Sequence, residues 1–497
     1  MTGCGDRTTE SRPDTLVAAI ESDPGQLNPA ITTSGGVHTV ADLLYNGLVG
    51  LDEHQRPVPE LARSWTVDED GRLYRFHLQT GVRWHDGRPF TAADVVYSFN
   101  EVLLNFHART RASLRAVLLS VDAVDDSTVE FHFRQPYSPF LQQLNVVEAP
   151  ILPRHLYAGR DPQTSRHNIA PVGTGPFRFV SYAPDAEIRY ARNPNYFGGP
   201  PAIAAVIFRV IPDPTAQVLA LEAGQVDWLF GVPAAQQKRL RGNPRVRMRQ
   251  TTIGSGGTNC MVTLAFNLDR AAFTDVRIRR AIAHAIDRNA ILERIQFGSG
   301  RVPLAPISSR IPLATAPGLQ LPVYDTALSA RLLEQAGWPR GQVLDLKLLP
   351  SFRAYAELIR AQLRAVGIDA RLQLLEQAVF VHDVFDRRDF DMAMISYCNG
   401  TDPQIGVRRQ YVSSSIGAVP FSNAAGYRNA EMDSLFDVAG RLVEPADRQR
   451  TYLHIQQLAV RDLPYIWLLE SEATQAHLVR CAGFAFGAHF AATARCR

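Results

Sequence analysis

The spacing of apolar residues changes partway along the chain, and this change constrains the fold more than any other feature. In the first half, "RLYRFHLQ" puts Tyr74, Phe76 and Leu78 on one face and Arg75 and His77 on the other. "STVEFHF" repeats the pattern with Val129, Phe131 and Phe133. A two-residue period predicts antiparallel strands with one wet face, and His77 and His132 fall on it. In the second half, helical and extended patterns alternate. "FTDVRIRRAIAHAIDRNAI" carries Ile278, Ile282 and Ile286 behind Asp275, which predicts one amphipathic helix. "AYAELIRAQLRAVGIDARLQLLE" predicts a helix stopped by Gly367, then a strand alternating Ile368, Ala370, Leu372 and Leu374. "DFDMAMISY" reads as a buried strand. Such alternation builds α/β layers. A chain of 497 residues exceeds one compact core, so two or three domains are expected. Between the halves, the Gly-rich "RQTTIGSGGTNCM" is a candidate crossover.

"RFHLQTGVRWHDGRPFTAADVVYSFN" raises the first question of chemistry, because Trp84, His85 and Asp86 sit together. Gly87 and Pro89 punctuate a turn, and Thr91 with Asp94 three residues on marks a helix start. Val95, Val96, Phe99, Val102 and Leu103 continue at helical spacing. The knot therefore reads as a turn between strand and helix, a scaffold feature.

Charged residues make up 20% of the chain and the net charge is +3, which gives no support for a nucleic-acid partner. No run reaches the roughly 18 apolar residues of a membrane-spanning helix. The opening "MTGCGDRTTESRPD" looks like the tail of a bacterial lipoprotein signal, with Cys4 as the lipid-bearing residue. A chance cysteine in an ordinary start is the competing reading. The other cysteines, Cys260, Cys398, Cys481 and Cys496, form no C-x-x-C and have no histidines at zinc-finger spacing. No metal site and no cofactor are expected. The chain has no G-x-S-x-G, H-E-x-x-H, phosphate-binding loop or dinucleotide fingerprint, and "GTGPF" and "GSGG" are too short to replace them. His382 and Asp386 share a helical face but lack a third ligand. No catalytic residue is assigned, and the chain is not expected to be an enzyme.

Several stretches together resemble one family. They are "DPGQLNPA", the segment from "YNGLVGLDEHQRPVPELARSW" through "WHDGRPFTAADVVYSF", "YSPFLQQL", "VGTGPFRFVSYAPDAEIRYARNPNYFGG", "AFNLDRAAFTDVRIRRAIAHAIDRNAI" and "FDMAMISYCNGTDP". In content and order they resemble extracytoplasmic solute-binding proteins of the oligopeptide-, dipeptide- and nickel-binding family, which serve ABC importers. The resemblance runs from about Leu16 to Trp467. It implies a two-lobed α/β periplasmic-binding-protein fold that closes on ligand as a hinged trap. Carried onto this chain, residues 1–13 form a lipoprotein tether and 14–45, 170–255 and 472–497 form lobe one. Residues 46–169 form an extra subdomain of lobe one, and 256–471 form lobe two. Hinges are implied at "TTIGSGG" and near Glu470–Ser471.

The resemblance implies three ligand-lining places. The first is the loop with Thr32, Thr33, Ser34 and Gly35, which offers hydroxyls and backbone groups. The second is "NVVEAP", where Glu148 stands near an arginine of nickel-chelate binders and argues against a strongly anionic chelate. The third is "YCNGTDPQIGVRRQY", with Tyr397, Cys398, Asn399, Gly400, Asp402, Arg408 and Tyr411. Peptide binders hold the ligand ammonium with an aspartate there. Asn399 lies near that place, which leaves open whether Asp402 replaces the anchor. Glu148 and Arg408 together are expected to hold the two ends of a zwitterion. An exported protein can oxidise its thiols, so a Cys481–Cys496 disulfide is expected in the terminal segment. Cys260 with Cys398 is a weaker companion pairing.

The expected function is the extracytoplasmic receptor of an ABC importer for short peptides or peptide-like solutes. Its partners are that ligand and the permease and ATPase complex. No nucleic acid is expected, membrane contact runs only through a lipid anchor, and a monomer suits the role. A receptor for an opine-like or sugar-phosphate conjugate, an oligosaccharide or a metal chelate is the alternative within the fold. A secreted hydrolase is the competing class, and the missing nucleophile motifs weigh against it.

Overall fold

The computed structural model describes residues 14–251, 253–254, 257–339, 341–417, 421–485 and 487–497. Cys4 and the tether expected over residues 1–13 lie outside them, as do Thr252, Ser255 and Gly256 of the expected crossover. The chain divides into two compact units. Met1–Gln135, Phe140–Gly256 and Ala473–Arg497 make the first, and Pro136–Pro139 and Gly257–Glu472 the second.

The first unit holds a seven-stranded sheet. Its order is Val246–Thr251, Ala473–Leu478, Trp228–Leu229, Thr15–Ile20, Ala205–Val210, Glu187–Arg192 and Phe177–Ala183. Thr15–Ile20 pairs in parallel with both of its neighbours, and Leu16 to Ile20 are all buried. A strand covered on both faces reads as a continuous apolar run, which "LVAAI" does. A second, four-stranded antiparallel sheet orders Ala62–Val67, Leu73–Leu78, Thr128–Phe133 and Leu118–Asp125. Tyr74, Phe76, Phe131 and Phe133 line its covered face and pack edge-on or tilted around Phe140. His132 sits on the wet face, 3.2 Å from Glu130.

The "WHDG" knot fastens this sheet to the rest of the unit. Trp84 is buried and its Nε1 donates to Asp94. His85 Nδ1 accepts from the Gly173 N–H at 3.1 Å, and Nε2 faces the Gly175 carbonyl at 3.0 Å. Those bonds select the neutral ring protonated at Nε2, and burial lowers its pKa to about 4. Asp86 meets His155 at 2.7 Å. Every polar side chain of the knot is committed to scaffold.

The helix expected after Thr91 starts as predicted, with a reciprocal capping box between Thr91 and Asp94. It does not run through evenly. After Ala92–Tyr97 the chain widens into a π turn over Ser98–Leu103. Ser98 Oγ bonds the Asp94 carbonyl at 2.7 Å and accepts from the Leu152 N–H, so a side chain enters the ladder where the geometry changes.

The second unit is built on a five-stranded mixed sheet. Its order is Asp369–Leu374, Val343–Leu348, Met392–Cys398, Cys260–Phe266 and Tyr465–Glu470. Val343–Leu348 runs parallel to both neighbours, and Cys260–Phe266 antiparallel to both of its own. The helix expected over 276–291 is two helices, Val276–Ala285 and Arg288–Arg294. Ile286 between them is extended, and the Asp287 side chain accepts from Ala290 N–H to cap a new start. The acid within the apolar pattern is a second N-cap, which periodicity alone does not register. Gly367, at φ +87°, turns Arg353–Ala365 into the strand Asp369–Leu374. His382 and Asp386 are exposed and 3.4 Å apart. Among the described residues no cluster of three metal-ligating side chains occurs, and no helix is long and apolar enough to cross a membrane.

Candidate functional site

In the first unit, Pro29–Ile31 forms one 3-10 turn capped by Asn28, whose amide also donates to Asn168. Thr32 to Ser34 follow as a partly exposed segment, extended at Thr32 and Ser34, with the Ser34 N–H donating to Thr32 Oγ1 at 3.1 Å. Gly35 opens the helix Gly35–Ala41. His38 on that helix backs the segment, with Nε2 3.3 Å from the Thr32 carbonyl and Nδ1 2.9 Å from Asp42. His107 lies edge-on to it at 6.4 Å, and burial holds its pKa well below the usual range, so it is neutral. Thr110, beside His107, donates its hydroxyl to the Glu148 carbonyl. The segment at 32–34 and the loop at 145–149 are thus tied to one histidine-lined layer.

Glu148 itself is not a bare acid. Arg109 Nε donates to its carboxylate at 2.9 Å and Nη2 reaches the Val147 carbonyl at 3.3 Å. At the expected ammonium anchor an internal guanidinium thus already stands against the charge.

In the second unit, Met392–Cys398 delivers the other expected stretch. Cys398 stands directly opposite Cys260 and is disulfide-bonded to it. Asn399 then turns inward. Its N–H donates to the Asn259 carbonyl at 3.1 Å, and its Oδ1 accepts from Ser308 N–H at 2.8 Å. Gly400 takes φ +67°, and its carbonyl accepts from Asn259 Nδ2. A Cβ on Gly406 would stand 2.1 Å from the Asn399 carbonyl oxygen, so the loop folds back onto its own start only with glycine there.

Four further residues expected in this loop have partners within the protein. Tyr397 is fully buried and its hydroxyl donates to the Ser422 carbonyl at 2.6 Å. Tyr411 is fully buried and accepts from Trp467 Nε1 at 3.1 Å. Asp402 caps the short helix Pro403–Gly406 and pairs with Arg448 at 2.8 Å, away from solvent. It serves as an internal staple. Arg408 is half-exposed and paired with Asp437 at 2.9 Å. The zwitterion clamp of Glu148 and Arg408 therefore has a protein partner already in place at each end.

The structure adds residues that sequence reasoning missed. Ser308, held by Asn399, leads to Ser309 and Arg310. Both serines bond the buried carboxylate of Glu470, and Arg310 pairs with Glu472. A signal was present in "WLLESEA", where two acids follow an apolar strand and need partners if buried. In the first unit, Cys481 and Cys496 face one another across a two-stranded turn and are disulfide-bonded.

Comparison with known proteins agrees with this architecture. A periplasmic binding protein of Helicobacter pylori associated with an ABC transporter, solved with the peptide STSA, superposes with a TM-score of 0.84. It is 24% identical, and the match covers 97% of this chain and 98% of that one. The dipeptide-binding protein of Escherichia coli is 30% identical over 391 residues, 73% of this chain and 72% of the relative. Heme-binding protein A of Haemophilus influenzae is 28% identical over 486 residues, 91% of this chain and 86% of the relative. The family model of the bacterial extracellular solute-binding proteins, family 5, matches residues 56–418, and the chain belongs to that family.

Proposed function

We propose that this protein captures short peptides outside the cytoplasm and delivers them to the permease of an ABC importer. The observation that carries this reading is the 30% identity with a dipeptide-binding protein across most of the chain. The site's geometry supports it. Glu148, Asp402 and Arg408 are all paired internally, which favours recognition through backbone and neutral groups over recognition through bare charges. An extended peptide suits such a surface, because its own main chain supplies donors and acceptors. The partly exposed Thr32–Ser34 segment and Gly400 are the main-chain stretches assigned to that task. The test is mass spectrometry of the small molecules released when the purified protein is denatured, followed by capture from a defined peptide pool. Release of a peptide, with a smaller radius of gyration on rebinding, is the expected result. Release of a heme, a metal chelate or a sugar conjugate, with no peptide retained from the pool, overturns the peptide assignment.

A further inference from the structure

The small net charge of +3 conceals an uneven distribution. Residues 228–251 and 473–497 together carry nine lysines and arginines and no aspartate or glutamate, so the rest of the chain is acidic. Folding joins these two stretches at one edge of the seven-stranded sheet. Val246–Thr251 is the edge strand and pairs antiparallel with Ala473–Leu478, which sets Arg247 opposite His477. The Val479 N–H donates to the Arg245 carbonyl at 2.8 Å, and the Arg497 N–H to the Arg480 carbonyl at 2.9 Å. The Cys481–Cys496 disulfide locks the terminal turn in place.

The acids that border this edge are already taken. Glu222 pairs with Arg239, and the buried Asp227 pairs with Arg480 at 2.6 Å. Lys238, Arg241, Arg245, Arg247, Arg495 and Arg497 are exposed, and among the described residues none of the six pairs with a carboxylate. Arg245 and Arg247 donate to main-chain carbonyls, of Glu222 and Pro244, and Arg241 to the neutral Gln237. Local roles account for part of the cluster. Cations suit the C-terminal end of the helix Ala234–Arg241, and Arg247 guards an edge strand against pairing. Neither role covers Arg495 and Arg497, which lie on a separate turn and extend the same positive edge. Six unpaired cations held together repel one another, and an anionic surface would relieve that repulsion.

We propose that this edge of the first unit docks on the anionic phospholipid headgroups of a membrane. A headgroup plane recognises charge spread over a surface and needs no fitted groove. A protein partner calls for apolar anchors at the centre of the contact. Among the described residues of the two stretches, Val479 is the only large apolar side chain that is exposed. The start of the folded chain lies at the same place. Arg480 Nη2 donates to the carbonyl of Thr15, the first residue of its strand, at 3.0 Å. Cys4 precedes Asp14 by ten residues, which span about 35 Å when extended. A lipid on Cys4 would therefore hold this edge within reach of the bilayer. The proposal goes beyond the peptide reading and does not depend on it.

The experiment floats the full chain, free of lipid, with vesicles of pure phosphatidylcholine or of phosphatidylcholine mixed with phosphatidylglycerol, at low and high sodium chloride. Wild type is compared with a joint Lys238→Gln, Arg241→Gln, Arg245→Gln, Arg247→Gln variant. A second-unit control makes the same change in charge through Arg294→Gln, Arg331→Gln, Arg360→Gln and Arg364→Gln, all at exposed positions. Thermal melting confirms that each variant is folded, and the lipid and salt dependence of wild type tests the surface without any variant. Wild type should bind the mixed vesicles alone and leave them at high salt. The edge variant should bind at least about tenfold more weakly, while the control stays within about twofold of wild type. Equal binding to both kinds of vesicle overturns the surface, as does equal weakening in the edge variant and the control. Retention on native membranes that protease abolishes and lipid vesicles do not reproduce also overturns it, and assigns the edge to a protein partner.

Discussion

Arg448 and Asp402 form an ion pair that is closed to water, with side chains 6% and 1% exposed. Arg448 also donates to Tyr452 and to the Ala439 carbonyl, so the helix Pro445–Asp462 grips the loop that follows Asn399. Removing one partner of a buried pair leaves the other charge uncompensated, at a cost of about 3–5 kcal/mol. Asp402→Asn should lower stability by that order in urea denaturation. A change below about 1 kcal/mol would show that the loop keeps its shape without the pair.

Gly406 makes a separate demand on the same loop. An alanine there would drive its Cβ into the Asn399 carbonyl, with backbone on both sides of the clash. Gly406→Ala should destabilise by about 1–3 kcal/mol and displace the Asn399–Gly400 turn. Faster hydrogen exchange at residues 399–402, together with weaker peptide binding, is the expected readout. Unchanged exchange would mean that the loop relaxes freely.

His85 makes stability depend on pH. Its folded pKa of about 4 lies below the ordinary 6.5, because burial disfavours the charged ring. The unfolded chain takes up a proton below 6.5 and the folded one does not until about 4, so stability contributed by the neutral ring is present above 6.5 and lost as pH falls through that window. A loss on the order of 2 kcal/mol is expected between those limits, allowing for partial exposure of the ring. Denaturation at several pH values should show the drop in wild type and a smaller one in His85→Gln. Identical pH profiles would assign the acid sensitivity elsewhere.

The two disulfides should differ in their response to a reductant. Cys481 and Cys496 are buried, whereas Cys260 and Cys398 are only half-buried, and thiolate access governs exchange. Mild dithiol treatment should open Cys260–Cys398 first, loosening the turn at Asn399. Replacing Cys481 and Cys496 together should cost about 3 kcal/mol on the chain-entropy account of a short loop, here with a separation of 15 residues. Peptide mapping of partly reduced protein decides the order, and simultaneous opening would refute it.

Much of the fold was legible one residue at a time. The two-residue period over Leu73–Leu78 and Thr128–Phe133 determined paired strands, because every second side chain had to leave water. The capping pair Thr91 and Asp94 determined a helix start, since those groups satisfy each other locally. The motifs in "WHDG" and their neighbours determined the family, and their roles as turns and caps are local enough to be written in order along the chain. Tertiary structure decided what the polar residues near the site do. Asp402 and Arg448 are 46 residues apart, Glu148 and Arg109 are 39, and Ser309 and Glu470 are 161. Nothing in one dimension tells an acid that awaits a ligand from one already holding an arginine, because the cost of burying a charge depends on which partner the fold brings to it.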